Sequence, residues 1–265
     1  MDEAENKPVE QDSKPKSNKK RNILIVFLMI LFLILVIPIL IFGYFGLVPG
    51  LSNIMGASKV RNLGVTYTDQ DYANYLAKTQ TKMLDFADAP NNPDKPGKKV
   101  VFANPVSADN MKVSQQEITS AINKSGWLWM PIKNAQVRFS EGAVEISGNL
   151  NLDYITQFIG FIGGVGYQSS DIDTAVSWAK KFVNNAPIYI KANGSVTNNQ
   201  LQLNVQEVQV GRFTAPADIA QTVLATGTQS AINNTPGLDA QSAVLKDGSI
   251  IFTGSHPTTI YVKTN

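Results

Sequence analysis

The sequence predicts an α+β protein: a single N-terminal transmembrane helix, then an extracytoplasmic domain in which a bent antiparallel sheet of hairpins packs on helices. Two observations lead to this prediction. A stretch without any charged residue runs from Ile23 to Val48. Farther along, segments of helical period alternate with paired segments of period two. Hairpins separated by single helices are typical of α+β domains with antiparallel sheets.

The uncharged stretch is long enough to cross a bilayer. As a helix it would measure roughly 39 Å, more than the ~30 Å hydrocarbon core of a membrane. We therefore expect a transmembrane helix over residues 22–48, with residues 23–48 in contact with the lipid bilayer. A cleaved signal peptide has a shorter apolar core and small residues at its cleavage site. The segment from Phe45 to Gly50 lacks that pattern.

Basic residues on one side set the orientation of this helix. Five of them lie between positions 14 and 21, whereas no positive charge follows the stretch until Lys59. The positive-inside rule then predicts a single-pass protein of the cell membrane with a cytoplasmic N-terminus. Residues 1–21 should be a disordered tail, because they are polar and almost free of large apolar side chains.

The part outside the membrane is predicted to begin with a juxtamembrane segment over residues 49–98. Thr68 and Asp71 resemble a capping box, which predicts a helix from about 69 to 83. Prolines and turn-forming residues from Asp88 to Lys99 indicate a linker rich in Pro and Asn. The α+β extracytoplasmic domain should then occupy residues 99–265.

This domain opens with a helix and a hairpin. Ser114 and Glu117 form a capping box of the S-x-x-E type, and the helix that follows should end near Ser125 and Gly126. The period then changes to two, with apolar residues from 135 to 139 and from 144 to 150 on either side of a turn at 141–142. The alternation predicts one dry face, while Glu145, Ser147 and the intervening polar residues form a wet one.

Two further hairpins are predicted. The first spans residues 188–210, turns at 198–199 and changes parity near Gln206, which is typical of a bulge. It places Tyr189 and Lys191 on the wet face. A helix should begin near Pro216, and the Asp247-Gly248 turn should close the last hairpin. Residues 152–165 and 171–183 are helical candidates between the first two hairpins.

Groups able to carry out chemistry are scarce. The chain has a net charge of +2, no cysteine and a single histidine, His256. Acidic and basic residues are nearly balanced after the apolar stretch, which argues against a nucleic-acid partner. The acidic pairs Asp69-x-Asp71 and Asp171-x-Asp173 stand where helices start, and acids are favoured there electrostatically. We therefore expect no catalytic residue, no metal, no cofactor and no enzyme activity.

Apolar clusters are the more informative feature. Residues 127–130 (WLWM) and 158–162 (FIGFI) are the densest apolar segments outside the stretch at 23–48. Ordinary core packing would explain them. The alternatives are the lining of an apolar channel, or a tip that contacts lipid, because Trp and Phe favour the membrane interface.

The order of elements resembles a family of bacterial envelope proteins, mainly actinobacterial, that is typified by a periplasmic lipid-binding protein supporting lipoglycan elongation. The resemblance lies in the helix at 114–122, the hairpin at 137–148, the strand at 199–216 and the ending at 235–254. It implies a tubular lipid-binding fold, in which a bent antiparallel sheet wraps a long helix, and it implies a bound lipid or glycolipid. The insertion at 151–185 is longer than is usual in that family.

Three hypotheses follow. The first is a lipid- or glycolipid-binding module of the cell envelope, in which apolar side chains bury acyl chains. The second is an envelope scaffold or interaction protein, although the sequence identifies no partner. The third, an enzyme, is the weakest, because the usual acid, base and nucleophile are missing. The residues predicted to contact lipid are Val137, Phe139, Val144, Ile146, Ile188, Ile190, Leu201, Leu203 and Val205, with Phe158, Ile159, Phe161 and Ile162 at the mouth of the groove.

Overall fold

A computed structural model describes residues 19–46, 48, 50–89, 100–165, 168–183 and 185–262, with the side chains of the first helix described from Ile30 onward. Most of the predicted disordered tail, up to residue 18, lies outside the described residues. The predicted linker lies outside them from residue 90 to 99. The chain divides into two compact units, residues 1–41 and 42–265.

Seven α-helices and nine strands are found within the described residues. The helices are α1 (Lys19–Tyr44), α2 (Leu51–Ile54), α3 (Asp69–Thr79), α4 (Gln115–Lys124), α5 (Ile155–Phe161), α6 (Ser169–Val183) and α7 (Ala217–Asn234). The strands are β1 (Lys82–Asp85), β2 (Val100–Ser114), β3 (Ile132–Ser140), β4 (Ala143–Leu150), β5 (Pro187–Thr197), β6 (Gln200–Val210), β7 (Phe213–Thr214), β8 (Asp239–Lys246) and β9 (Ser249–Val262). The molecule is therefore an α+β protein, as predicted.

The first unit contains most of α1, which continues through Pro38 without interruption. Over the residues that the structure describes, no helix reaches both the length and the apolarity that a membrane crossing requires. The transmembrane helix over residues 22–48 stays a prediction.

All nine strands of the second unit belong to one sheet. Its central path runs β1-β9-β8-β5-β4-β3, while β2 pairs with β9, and β6 pairs with β5 and β7. The prediction of a wholly antiparallel sheet is wrong at one pair, because β1 runs parallel to β9 with Lys82 opposite Thr259. The strand β8 occupies one edge of β9 only as far as Ser255. The remaining part of that edge, from Thr259 onward, pairs with β1.

The sheet forks at β5. One edge of β5 pairs with β6 along its length, while the other pairs first with β4 and then, at Val196 and Thr197, with β8. Backbone hydrogen bonds join the β3–β4 turn to both β8 and β5 at this fork. Gly142 donates to the carbonyl of Leu245 at 2.9 Å and accepts from the amide of Gly194 at 3.0 Å.

The three predicted hairpins are confirmed, and so is the bulge. Lys191 lies opposite Glu207 but Ala192 lies opposite Val205, so Gln206 is the extra residue. Asn198 and Asn199 both have positive φ, as a two-residue hairpin turn of type I′ requires.

The observed helices agree with the predicted ones less well than the hairpins do. The capping box of α4 is confirmed, since Ser114 and Glu117 each bond the other's backbone amide. The predicted helix over 69–83 ends at Thr79, because Gln80 takes a left-handed conformation and β1 begins two residues later. In the candidate at 152–165, only the seven residues of α5 are helical.

The beginning of the second unit is fixed to the β6–β7 turn. The amide of Arg212 donates to the carbonyl of Phe45 at 3.1 Å, and its guanidinium donates to the carbonyl of Met55 at 2.9 Å. The same guanidinium lies 4.5 Å from the ring centroid of Tyr44. Gly211 allows this approach, because a Cβ there would collide with the carbonyl oxygen of Phe45.

Candidate functional site

The pairing registers place apolar side chains of seven strands on one side of the sheet, here called the inner face. Val137 lies opposite Ile146, and Ile146 lies opposite Ile190. Residues directly opposite each other share a face. All nine strand residues predicted to contact lipid therefore lie on the inner face, namely Val137, Phe139, Val144, Ile146, Ile188, Ile190, Leu201, Leu203 and Val205.

The inner face continues beyond the fork. Val196 of β5 lies opposite Ala243 of β8, which lies opposite Phe252 of β9, which in turn lies opposite Met111 of β2. Apolar side chains thus continue from β3 across to β2. The inner face is a single apolar surface that spans both branches of the sheet.

Burial of this face is incomplete. Val137 and Phe139, next to α4, are 2% and 8% exposed. The other seven predicted residues are only partly buried. A filled core would leave such side chains almost inaccessible, so the central strands present apolar surface that the described part of the chain only partly covers.

One border of the inner face is formed by α4. The side chains of Gln115, Thr119 and Asn123, four residues apart, accept hydrogen bonds from the amides of the edge strand β3. The three bonds join Gln115 to Phe139 at 3.0 Å, Thr119 to Val137 at 3.0 Å and Asn123 to Ala135 at 2.9 Å. The helix thereby occupies the position of a further strand and protects the sheet edge.

The opposite border is formed by α7 in a similar way. Gln221 accepts from the amide of Val205 at 2.8 Å and donates to the carbonyl of Leu203 at 2.9 Å. Eight residues on, Gln229 accepts from the amide of Leu201 at 2.8 Å and donates to the carbonyl of Asn199 at 2.9 Å. Both outer strands of this half of the sheet are therefore bordered by helices through side-chain hydrogen bonds.

Three of the predicted mouth residues contact Trp127, β2 or α7. Phe161 stacks on Phe102 of β2 at 5.6 Å between ring centroids and meets Trp127 edge-on at 5.3 Å. Phe158 lies 5.8 Å from Trp127. Ile162, at the end of this segment, packs against Gly227 of α7. A Cβ added to Gly227 would lie 3.3 Å from the Cδ1 atom of Ile162. The segment containing α5 therefore connects the β2 side of the sheet to α7.

The outer face of the sheet is drier than predicted. Ser147 is 0% exposed and Tyr189 is 5% exposed, although both were expected on a wet face. The physical reason is a strap, residues 61–65, that crosses this face and buries Leu63 and Val65 against Tyr189. Periodicity could not reveal it, because the strap lacks regular secondary structure.

Charged groups hold the strap in place. The guanidinium of Arg61 lies 3.5 Å from the ring centroid of Tyr189, and the Tyr189 hydroxyl donates to Glu145 at 2.8 Å. Arg138 donates three hydrogen bonds to Glu145, at 2.7, 2.8 and 3.2 Å, and a fourth to the carbonyl of Leu63 at 3.3 Å. Burial, together with the neighbouring carboxylate of Glu145, raises the pKa of Tyr189.

Two cavities stand out among the described residues. The larger, here called the fork cavity, has a volume of about 750 Å³ and lies where β5 separates from β4. Asn193, Ser195, Gln202 and Asn204 contribute polar groups to it. These four residues alternate with the inner-face residues of β5 and β6, so their side chains lie on the outer face of the sheet.

The smaller cavity, of about 360 Å³, lies between α3 and β2 and is lined by Lys78, Lys112, Asp109 and His256 among others. The imidazole Nδ1 of His256 lies 3.2 Å from the carbonyl of Pro257, and its ring lies 6.0 Å from that of Phe252. No group of three or more His, Cys, Asp or Glu that could hold a metal occurs among the described residues.

The acidic pair at the start of α3 has structural partners. Asp71 caps the helix by accepting from the amide of Thr68 at 2.7 Å. Asp69 forms an ion pair with Lys124 of α4, which lowers the pKa of Asp69 and raises that of Lys124. Asp71 therefore caps α3, whereas Asp69 connects α3 to α4.

Comparison of the chain with protein-family models, with curated proteins and with solved structures yields no match. The resemblance to the lipid-binding envelope family therefore stays a prediction, and the function has to be inferred from the geometry of the inner face and its borders.

Proposed function

We propose that the chain is a membrane-anchored, extracytoplasmic protein of the bacterial cell envelope that binds a lipid or glycolipid along its inner face, without catalysing a reaction. The proposal rests on one observation. An apolar surface spans seven strands, is bordered by α4 and α7, and is only partly covered by the described residues.

The energetics favour an acyl chain as the ligand. Each buried methylene contributes about 0.8 kcal/mol, so a chain laid along the central strands would bind without any charged contact. The inner-face positions of β4, β5 and β6 supply Val, Ile and Leu side chains in a nearly continuous row. A surface of this kind is costly to leave in water and is typical of ligand or partner sites.

The anchor part of the proposal rests on sequence. The stretch from Ile23 to Val48 contains no charge, and basic residues precede it. In this arrangement the domain would stay near the membrane surface, where its lipid ligand is abundant.

Photo-crosslinking of the full chain in membranes tests the lipid site. The probe is a phospholipid with a diazirine in its acyl chain, and labelled peptides are identified by mass spectrometry. We expect labelled peptides from β4, β5 and β6 in addition to those from α1. Labelling confined to α1 would contradict lipid binding by the domain and would leave the scaffold as the alternative function.

A matched pair of variants sharpens the test. Val205→Asn places a polar side chain on the inner face and should reduce labelling of β5 and β6 severalfold. Val244→Asn is the same substitution on the outer face, where the valine is 39% exposed, and should leave labelling unchanged. Equal effects of the two variants would exclude the inner face as the binding surface.

A further inference from the structure

We infer that the surface beside the β6–β7 turn rests on the head groups of the bilayer and is the entrance through which lipid reaches the inner face. This surface is here called the membrane rim, and it consists of Ile54, Phe213 and Ile219. The inference rests on the proposed function, because it assigns the route by which the same ligand arrives. It names the bilayer surface, and not a second protein, as the partner of the rim.

The β6–β7 turn is bonded to the end of the predicted transmembrane helix. Phe45 belongs both to that helix, predicted over residues 22–48, and to the second unit of the chain, which begins at residue 42. The amide of Arg212 in the turn donates to the Phe45 carbonyl at 3.1 Å. Because the predicted helix is longer than the hydrocarbon core, its last residues would lie among the head groups. A turn bonded to Phe45 would then lie at the same depth.

Exposed apolar side chains surround this turn. Six large apolar side chains are exposed among the described residues after position 44, and the three most exposed are Ile54 at 85%, Phe213 at 50% and Ile219 at 47%. Ile54 directly precedes Met55, whose carbonyl accepts from the Arg212 guanidinium at 2.9 Å. Phe213 directly follows that arginine, and Ile219 lies in the first turn of α7. Apolar side chains grouped where the chain leaves the membrane indicate contact with lipid.

Phe213 makes the membrane rim continuous with the inner face. It lies opposite Val210, which in turn lies opposite Ile188. Residues directly opposite each other share a face, so Phe213 lies on the inner face while its side chain is half exposed. The next pair along this face is Ile190 and Val208. An apolar path therefore leads from the rim to the central strands.

This geometry gives lipid a route that avoids water. An acyl chain that passed through solution would expose each of its methylenes, and the cost of that exposure grows with chain length. A chain that moved past Phe213 would exchange lipid contacts for contacts with Val and Ile side chains. A protein is the rival occupant of the rim, but it would have to bind between the domain and the bilayer, because the Phe45 carbonyl holds the turn at head-group depth.

Fluorescence quenching tests the membrane contact. The sequence contains no cysteine, so single-cysteine variants of the full chain can each carry one fluorophore. The chain is placed in phosphatidylcholine vesicles that contain a lipid with a nitroxide on its acyl chain, which quenches fluorophores in contact with the bilayer. Labels at Ile54→Cys and Phe213→Cys should be quenched at least about threefold more than a label at Leu84→Cys. Leu84 is a matched control, because it is 38% exposed and belongs to β1, which pairs with neither β6 nor β7.

Photo-crosslinking tests the entrance. Phe213→Glu places a charge on the lipid path, and it should lower labelling of β5 and β6 by the diazirine phospholipid at least about fivefold relative to labelling of α1. Phe213→Leu keeps an apolar side chain and should retain most of the labelling. Leu84→Glu adds the same charge away from the rim and should leave labelling unchanged.

Each result has a distinct meaning. Rim labels quenched no more than the Leu84→Cys label, beside a quenched label at Leu35→Cys in the predicted span, would overturn the membrane contact and leave the rim to a protein partner. Equal effects of Phe213→Glu and Leu84→Glu would overturn the entrance while lipid binding stands. The proposed function fails differently. An absence of labelling in β4, β5 and β6 of the native chain contradicts lipid binding, and an unquenched label at Leu35→Cys contradicts the anchor.

Discussion

Gly211 shows how one residue fixes the start of the second unit. It has φ +61°, and a Cβ there would collide with the carbonyl oxygen of Phe45. Gly211→Ala should lower the free energy of unfolding by about 2–4 kcal/mol, since backbone strain and displacement of the Phe45 carbonyl act together. Gly64→Ala is the matched control, because Gly64 has φ +73° with no atom within 4 Å of the added Cβ. Urea denaturation measures both variants. Equal losses of unfolding free energy would show that the contact between Gly211 and Phe45 contributes nothing to stability.

Glu145 connects the strap network to the pH dependence of stability. Burial by itself would raise its pKa, but hydrogen bonds from Arg138 and Tyr189 and the charge of Arg138 hold the pKa of Glu145 below its usual range. The ionised carboxylate therefore stabilises the fold above the unfolded pKa of ~4.3. This stabilisation is lost as the pH falls through the lower folded value.

Glu145→Gln should lower the free energy of unfolding near pH 7 by about 1–3 kcal/mol. The difference from the native protein should shrink as the pH falls below ~4. Glu141→Gln, an equal change of charge in the exposed turn before β4, should have little effect. Denaturation curves at several pH values measure both variants. A deficit for Glu145→Gln that is independent of pH would contradict the electrostatic explanation.

At the scale of elements, α7 is held to β6 by glutamine side chains. Gln221→Leu would remove the partners of the Val205 amide and the Leu203 carbonyl. Hydrogen exchange of the Val205 amide should therefore accelerate about tenfold or more. The Leu201 amide should stay protected, because Gln229 holds it. Thr222→Leu, at an exposed neighbouring position of α7, should change neither amide, and equal acceleration of both amides would indicate that the whole helix had detached.

The elements differ in how well the sequence predicts them, and the reason is the range of their interactions. The hairpins, the α4 capping box and the bulge at Gln206 arise from residues close together in the chain, so local patterns predicted them. The strap and the parallel pairing of β1 with β9 depend on residues far apart. The inner face was predicted from alternation alone, whereas the fork cavity depends on where three strands diverge and has no local signature.

At the scale of the whole molecule, the anchor prediction can be checked directly. The full chain should sediment with membranes and resist extraction by alkaline carbonate, because a helix over residues 22–48 would leave apolar side chains in lipid. Leu35→Arg, which places a charge near the centre of that helix, should weaken insertion by about 2.5–3.5 kcal/mol. Glu10→Arg, in the predicted cytoplasmic tail, is the control. Release of the native chain from membranes by carbonate would contradict the prediction of a transmembrane anchor.

The position of β9 in the sheet has a consequence for the order of folding. It pairs with β1, β2 and β8, yet it follows all of them in the chain. During synthesis, β2 must therefore wait for about 150 further residues, and β1 for about 175, before their partner exists, and contacts of such long range slow folding. Until β9 emerges, the long edge of β2 has no neighbour. A chaperone that shields this nascent edge would thus influence the yield of folded protein without changing its final stability.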